Sequence, residues 1–272
     1  FNRELAAASE ALKKHFAANF DEARADELTR AVIAEFASYA AHERSVGERG
    51  ELELALKQGV SADEFNALLF SKSFASYELD DALDLALLLR CDKRLLSSLI
   101  DRGAQVNAGE ENSLFYAMGS IENARLMISR GAQVNYKNSL GQTPIFYAVA
   151  MKDYELVKFL IYNHASVNVR QIGSAEMQAL ASLGGADDAC TFTGAGETLL
   201  MYAAQKSTKQ IVELLVRSGA NEKLSDEAGL NVMDYAILGG DAQTQSYLKS
   251  IGLKPSESLD DEGSDGAAAR DN

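Results

Sequence analysis

No tryptophan occurs in this sequence of 272 residues, and there are only two prolines, two cysteines and three histidines. With so few prolines, and with Val, Ile and Thr never alternating over a strand-length run, a sandwich or a loop-rich enzyme is disfavoured; sheet is expected only at short hairpin tips. Cys91 and Cys190 form no metal or redox spacing, and nothing in the sequence supports a bridge between them. His15, His42 and His164 are scattered and make no HExxH or other ligand pair, so no metal is expected. A GxSxG elbow and a GxxxxGK(S/T) phosphate loop are both missing. Gly194 and Gly196 share a GxG, but no strand leads into it and no third glycine follows where one is required. An enzyme is therefore not expected, nor is a cofactor. No apolar run approaches the roughly 20 residues of a membrane helix, so no span is expected.

Positive charge is also in short supply, with 26 basic residues against 40 acidic ones and a net charge of −14. Affinity for phosphate chains comes from clustered Lys and Arg that release counterions, so nucleic acid is disfavoured as a partner. A basic protein partner is compatible with the acidity, as is mere solubility. On a chain this acidic each carboxylate reads first as part of a solvated helix face.

What the chain has is a phrase that returns: GQTPIFYAV at 141–149, GETLLMYAA at 196–204 and GLNVMDYAI at 229–237. Gly196 to Gly229 and Gly219 to Gly252 are both 33 residues. After each phrase comes a second apolar run, KFLIYNHASVN, ELLVRSGANEK or SYLKSIG, so one unit is helix, turn, helix and stop. Thr143 before Pro144 can cap an inner helix, because proline suits the first helical position. Ala148, Ala203 and Ala204 are small where inner helices must approach closely. Gly219 and Gly252 sit where an outer helix needs positive φ; His164 stands at the equivalent place, so that stop should be strained or differently built.

Degenerate copies lie upstream. RGAQVN occurs at 102–107 and again at 130–135, only 28 residues apart, so the unit between them, with SLFYAM at 113–118, is shortened by five. DALDLALLLR followed by LLSSLIDRGAQVN makes an earlier unit, and ELELALKQGV at 51–60 reads as a lone outer helix. Repeats are expected at roughly 80–107, 108–135, 136–168 and 193–224, with a closing unit at 225–253.

This pattern resembles the ankyrin repeat, whose signature is Gly-x-Thr-Pro-Leu-His-x-Ala-Ala and then a Leu-Leu-x-x-Gly-Ala close, with a period of about 33 residues. The resemblance covers about two thirds of the chain. It implies an all-α fold, an ankyrin-type helical repeat solenoid with an N-terminal helical cap, in which each unit buries its apolar stripe against its neighbours. It also implies a protein partner bound in a concave groove lined by the inner helices. One residue before the first motif alanine, four units carry Tyr116, Tyr147, Tyr202 and Tyr235, with Leu85 there in the first repeat. Residues three and four further on share that helix face, adding Ala150 and Met151, Gln205 and Lys206, and Leu238 and Gly239. The tyrosines supply rigid interface anchors if exposed; alternatively they pack between repeats with only their hydroxyls wet.

Three segments stand apart from the repeats at 46–254. Residues 1–45 place Leu5, Leu12, Phe16 and Phe20, then Leu28, Val32, Phe36 and Tyr39, at helical spacing, which predicts two helices joined near Asn19 to Asp21. They serve as a cap for the first repeat, or as a dimerisation or docking hairpin. An insertion at about 170–192 separates two repeats, and SAEMQALASLGG within it reads as a short helix, with Ser174 as N-cap and Met177, Leu180 and Leu183 on its apolar side. It is a partner-contacting element or a flap over its own groove. Residues 255–272 are polar and acidic, with too little to bury, and predict a disordered tail. Because the sequence begins at Phe1 and not Met, removal of an upstream segment is expected, by signal cleavage or by choice of boundary. Compartment stays open between cytoplasm and periplasm. The preferred reading is a monomeric protein-binding adaptor or scaffold; the alternative is an inhibitor or immunity protein that occludes a toxin or enzyme.

Overall fold

The computed structural model describes residues 50–176 and 196–256, with a few isolated helical positions upstream, among them Ala25 and Thr29. Both of these are buried, and the Thr29 hydroxyl donates to the Ala25 carbonyl at 2.7 Å, one helical turn back. The expected N-terminal hairpin otherwise lies outside the described residues. The chain divides into two compact units, residues 1–139 and 140–272.

In the first unit the described helices come in pairs: α1 (Glu51–Gln58) with α2 (Ala62–Ser71), α3 (Ser76–Leu88) with α4 (Lys93–Arg102), and α5 (Ser113–Tyr116) with α6 (Ile121–Ser129). Inner helices α1, α3 and α5 stack in succession, and outer helix α2 stacks on α4. Leu52, Phe65, Leu69, Leu83, Leu96, Leu99, Leu114 and Met127 are fully buried between them. The segment 51–60 is thus not a lone outer helix. It is the inner helix of a further pair, and α2 follows it behind a capping box in which the Glu64 N–H donates to Ser61 Oγ at 3.2 Å and the Ser61 N–H to the Glu64 carboxylate at 2.9 Å. Outer helix α2 lacks a glycine stop. Its last carbonyls, Leu69 O and Lys72 O, accept instead from the Arg102 guanidinium at 3.3 and 2.8 Å. In the shortened unit, α5 is a single turn of four residues that ends before Gly119, whose φ is +94°.

The second unit contains α7 (Pro144–Ala150) with α8 (Tyr154–Tyr162), α9 (Leu199–Lys206) with α10 (Lys209–Arg217), and α11 (Val232–Gly239) with α12 (Ala242–Ser250). Among the described residues of the chain there are twelve such helices and only two isolated β-bridges, Arg170 with Thr198 and Ser225 with Asn231. Fully buried Ile145, Leu156, Leu160, Leu215, Met233 and Leu248 form the core. The most intimate helix contact is α9 on α11. A Cβ on Gly239 would stand 2.5 Å from the Gln205 carbonyl oxygen and 2.8 Å from its Cα, so only glycine allows this approach.

Loops of successive repeats are clipped by one amide. Asn107 Oδ1 accepts the Gln133 N–H at 2.8 Å while its Nδ2 donates to Gly131 O at 2.9 Å. Asn168 does the same in the second unit, accepting from Asn221 N–H at 2.8 Å and donating to Gly219 O at 2.9 Å. The insertion lies a few residues later than the sequence suggests. Gln171 N–H donates to Glu197 O at 2.8 Å, Gly196 N–H to Ile172 O at 3.1 Å and Leu199 N–H to Val169 O at 3.0 Å, so the extra residues leave a paired neck after Ile172. Its helix starts at Ser174 and not after it: the cap is Gly173, whose N–H donates to the Glu176 carboxylate at 2.7 Å. Residues 177–195, and with them Met177, Leu180 and Leu183, lie outside the described residues.

Several local expectations meet a different outcome. Thr143 occupies the cap position of α7, yet its side chain makes no cap bond and its Oγ1 is buried without a partner. The Phe146 N–H that it would accept goes to the Thr143 backbone carbonyl at 2.9 Å, and the signature histidine position is that same Phe146, which offers no polar atom. Thr198 does cap, accepting the Met201 N–H at 3.3 Å. At the start of the segment expected as a tail, the Ser256 N–H donates to the buried Asp234 carboxylate at 3.0 Å; residues 257–272 lie outside the described residues. His164 fulfils its expectation: its φ is +67°, where Gly103, Gly131, Gly219 and Gly252 serve four other outer helices.

Two substitutions test this geometry by urea unfolding. His164→Gly should raise stability by about 1 kcal/mol, since a left-handed residue with a Cβ carries a cost of that order. Gly239→Ala should lower it by roughly 1 to 3 kcal/mol despite alanine's better helix propensity, because the methyl must push backbone away.

Candidate functional site

The tyrosines occupy one register, four residues after the cap of each inner helix: Asn112 and Tyr116, Thr143 and Tyr147, Thr198 and Tyr202, Asn231 and Tyr235. Their surroundings differ. Tyr116, in the first unit, is half-buried, and burial with the nearby charges of Asp84, Glu111, Glu110 and Asp81 holds its hydroxyl well above the usual tyrosine range. Tyr147 and Tyr202, in the second unit, are also half-buried, and Tyr202 meets the Phe146 ring edge-on at 5.8 Å. Tyr235 departs from the other three and follows the packed alternative. It is only 4% exposed and donates to Asp226 Oδ2 at 2.8 Å. The other oxygen of Asp226 accepts the Ala228 and Leu230 N–H groups at 2.9 and 2.8 Å, so Tyr235 pins the hairpin before α11 and is core.

Beside these rings Met151 is 50% exposed at the end of α7, Gln205 is half-buried and Lys206 is exposed on α9. The end of α11 adds Ile237 and Leu238, both exposed. The second unit therefore presents two half-buried aromatic rings with aliphatic surface and the Lys206 cation.

Carboxylates depart furthest from the reading of a solvated face. In the first unit burial drives Asp84 well above its ordinary pKa, against a hydrogen bond from the Ser113 hydroxyl at 2.9 Å and with Asp80, Asp81 and Glu111 adding repulsion. In the second unit Glu197, immediately before the Thr198 cap, is 7% exposed. Its Oε2 accepts the Gln171 amide at 3.2 Å, but its Oε1 is buried with no hydrogen-bond partner. Burial pushes Glu197 up to about 7; Lys206 opposes the rise and Asp226 adds to it. Glu197 escaped the sequence reading, although its place beside the cap, shared by Glu111, was a signal for it. Cys91 is a free thiol in the α3–α4 turn, raised by burial. Among the described residues no grouping of His, Cys, Asp and Glu could hold a metal, and no helix is long and apolar enough to cross a membrane.

With this geometry in view, comparison with known proteins gives a consistent result. Residues 113–161 match the family of ankyrin repeats in many copies, and residues 195–227 match the single ankyrin repeat. An ankyrin repeat protein of Acanthamoeba polyphaga mimivirus is similar over 215 residues at 23% identity, covering 75% of this chain and 24% of the viral protein. The chain thus spans about a quarter of the length of that relative. The chain contains ankyrin repeats, and its described residues fold as an all-α repeat solenoid. Such repeats are generally protein–protein interaction modules and usually lack enzymatic activity.

The Glu197 environment predicts a pH dependence. Its folded pKa of about 7 lies above the ordinary 4.5, so between these values the folded chain holds a proton that the unfolded chain has released. Stability from this residue is complete below pH 4.5, falls as pH rises through 7 and stays low above it. The Glu197→Gln variant should match wild type in urea unfolding near pH 4.5 and exceed it at pH 8 by on the order of 1 kcal/mol or more.

Proposed function

We propose that this chain is a protein-binding adaptor or scaffold without enzymatic activity, acting as a monomer, and that its partner seats on the inner-helix face of the second unit. Tyr147, Met151, Tyr202, Gln205 and Lys206 are its contact residues there, and Tyr116 holds the same register in the first unit. The observation that carries the reading is the pair of half-buried rings, Tyr147 and Tyr202, at one position of successive inner helices beside exposed Met151 and Leu238. Rigid amphipathic rings next to aliphatic surface favour association, because they bury large area at small entropic cost. Acidity makes a basic protein the favoured partner class and disfavours nucleic acid. Met177, Leu180 and Leu183 of the insertion join the proposal as a second contact element, on their sequence pattern alone.

The test uses a partner isolated by stoichiometric co-purification. Replacing Tyr147 and Tyr202 by Ala should weaken its binding by roughly 1 to 3 kcal/mol. The fold should lose less than it does from Leu215→Ala, which opens a cavity in a fully buried site at a cost of about 2 to 5 kcal/mol. Tyr235→Phe should leave affinity unchanged while costing about 1 kcal/mol of stability, since it removes only the bond to Asp226. Unchanged affinity in the double tyrosine variant, with stability lost as in Leu215→Ala, would make the rings core packing and put the site elsewhere.

A further inference from the structure

Glu197 differs from the other buried carboxylates of its unit. Asp226 accepts from Tyr235, Ala228 and Leu230, and Asp234 accepts from the Asn231 and Ser256 N–H groups. Glu197 has one oxygen on the Gln171 amide and the other, inside a residue only 7% exposed, on nothing. Its counterpart one residue before the cap in the first unit, Glu111, is engaged by its own chain through the Asn138 amide at 3.1 Å. The charged and titratable groups that act on Glu197 are Lys206 and Tyr202 of α9, Asp226 of the next hairpin and Tyr235 of α11. Lys206 is exposed and forms no ion pair with it. A buried carboxylate with an open acceptor weakens the fold when ionised, and its natural complement is a donor carrying positive charge.

We propose that Glu197 is the receptor for one cationic side chain, lysine or arginine, of a protein segment seated on the inner-helix face of the second unit. The inference rests on the reading of that face as the partner site. Four observations fit it together. The open oxygen can take one strong charge-assisted bond, and Gln171 holds the other oxygen in place. Asp226 adds negative potential from a second element. Tyr202 can present a ring to a cation arriving beside it. Two of the groups that act on the carboxyl reach solvent, Tyr202 being half-buried and Lys206 exposed. Lys206, whose charge acts on Glu197, is the cation with which the incoming one competes.

The experiment selects binders from a random-peptide display library on the immobilised full chain at pH 8. Peptides enriched on wild type should share a lysine or arginine at one position. Binding of such a peptide should fall roughly tenfold or more on Glu197→Gln, the scale of one lost charge-assisted bond. Norleucine at that peptide position should cause the same loss on wild type and almost none on Glu197→Gln, the signature of a direct pair in a double-mutant cycle. Lys206→Met should tighten binding. A melt of Glu197→Gln at pH 8 no lower than wild type shows that lost binding is not lost fold. Peptides without a basic position, or bound equally by Glu197→Gln, overturn the receptor. If those same peptides are lost on the Tyr147 and Tyr202 double variant, the partner face stands while the receptor falls. If they survive that variant, or if nothing is enriched, both readings fall.

Discussion

Everything in this fold hangs on how one repeat's loop is tied to the next without a sheet between them. Two of the ties are single amides. Asn107 and Asn168 each turn an acceptor to the backbone N–H and a donor to a backbone carbonyl of the following loop, so one side chain satisfies two main-chain groups and sets both spacing and register. Asp80 makes half of the same clip, accepting the Gln105 N–H at 2.6 Å. A carboxylate can accept but not donate, which is why the more regular units use asparagine. Once the loops are fixed, the inner helices must come together at the separation the loops dictate, and small residues at their contact follow as a consequence. Gly239 against Gln205 is the extreme case.

The sequence was most legible where local chemistry decides the outcome. Phrases beginning at Gly141, Gly196 and Gly229 lead into inner helices as expected, and the break in pattern at His164, which marks a strained or differently built stop, falls on a left-handed backbone that carries a Cβ. Legibility failed where a distant group does a local job. Helix α2 went unrecognised because its stop is not a glycine but Arg102, some thirty residues away in sequence. Thr143 and Thr198 look equivalent as caps, yet in one the backbone carbonyl takes the N–H that the hydroxyl needed.

The candidate site was legible in register but not in burial. Four tyrosines do fall at one position, but periodicity places a side chain on a face and says nothing of what covers it. Tyr235 is covered because Asp226 stands ready as an acceptor at its hydroxyl. Tyr202, in the same register one repeat earlier, has Phe146 at its edge and stays half-buried. Carboxylates hid for the opposite reason. In so acidic a chain Asp84 and Glu197 are indistinguishable by composition from solvated neighbours, and what sets them apart is their burial, for which the place of Glu197 beside the cap was the one local sign.

The paired neck that carries the insertion has an evolutionary consequence. Because Val169 to Ile172 and Gly196 to Leu199 are already hydrogen-bonded to each other, the closure of whatever lies between them is fixed at the neck. Lengthening a flexible segment between fixed ends costs only about 0.6 kcal/mol for each doubling. That site is therefore a socket where new sequence can be tried and discarded at small thermodynamic risk to the repeats. Variation in length and composition among descendants of this chain should concentrate there, while the clipped loops on either side tolerate almost none.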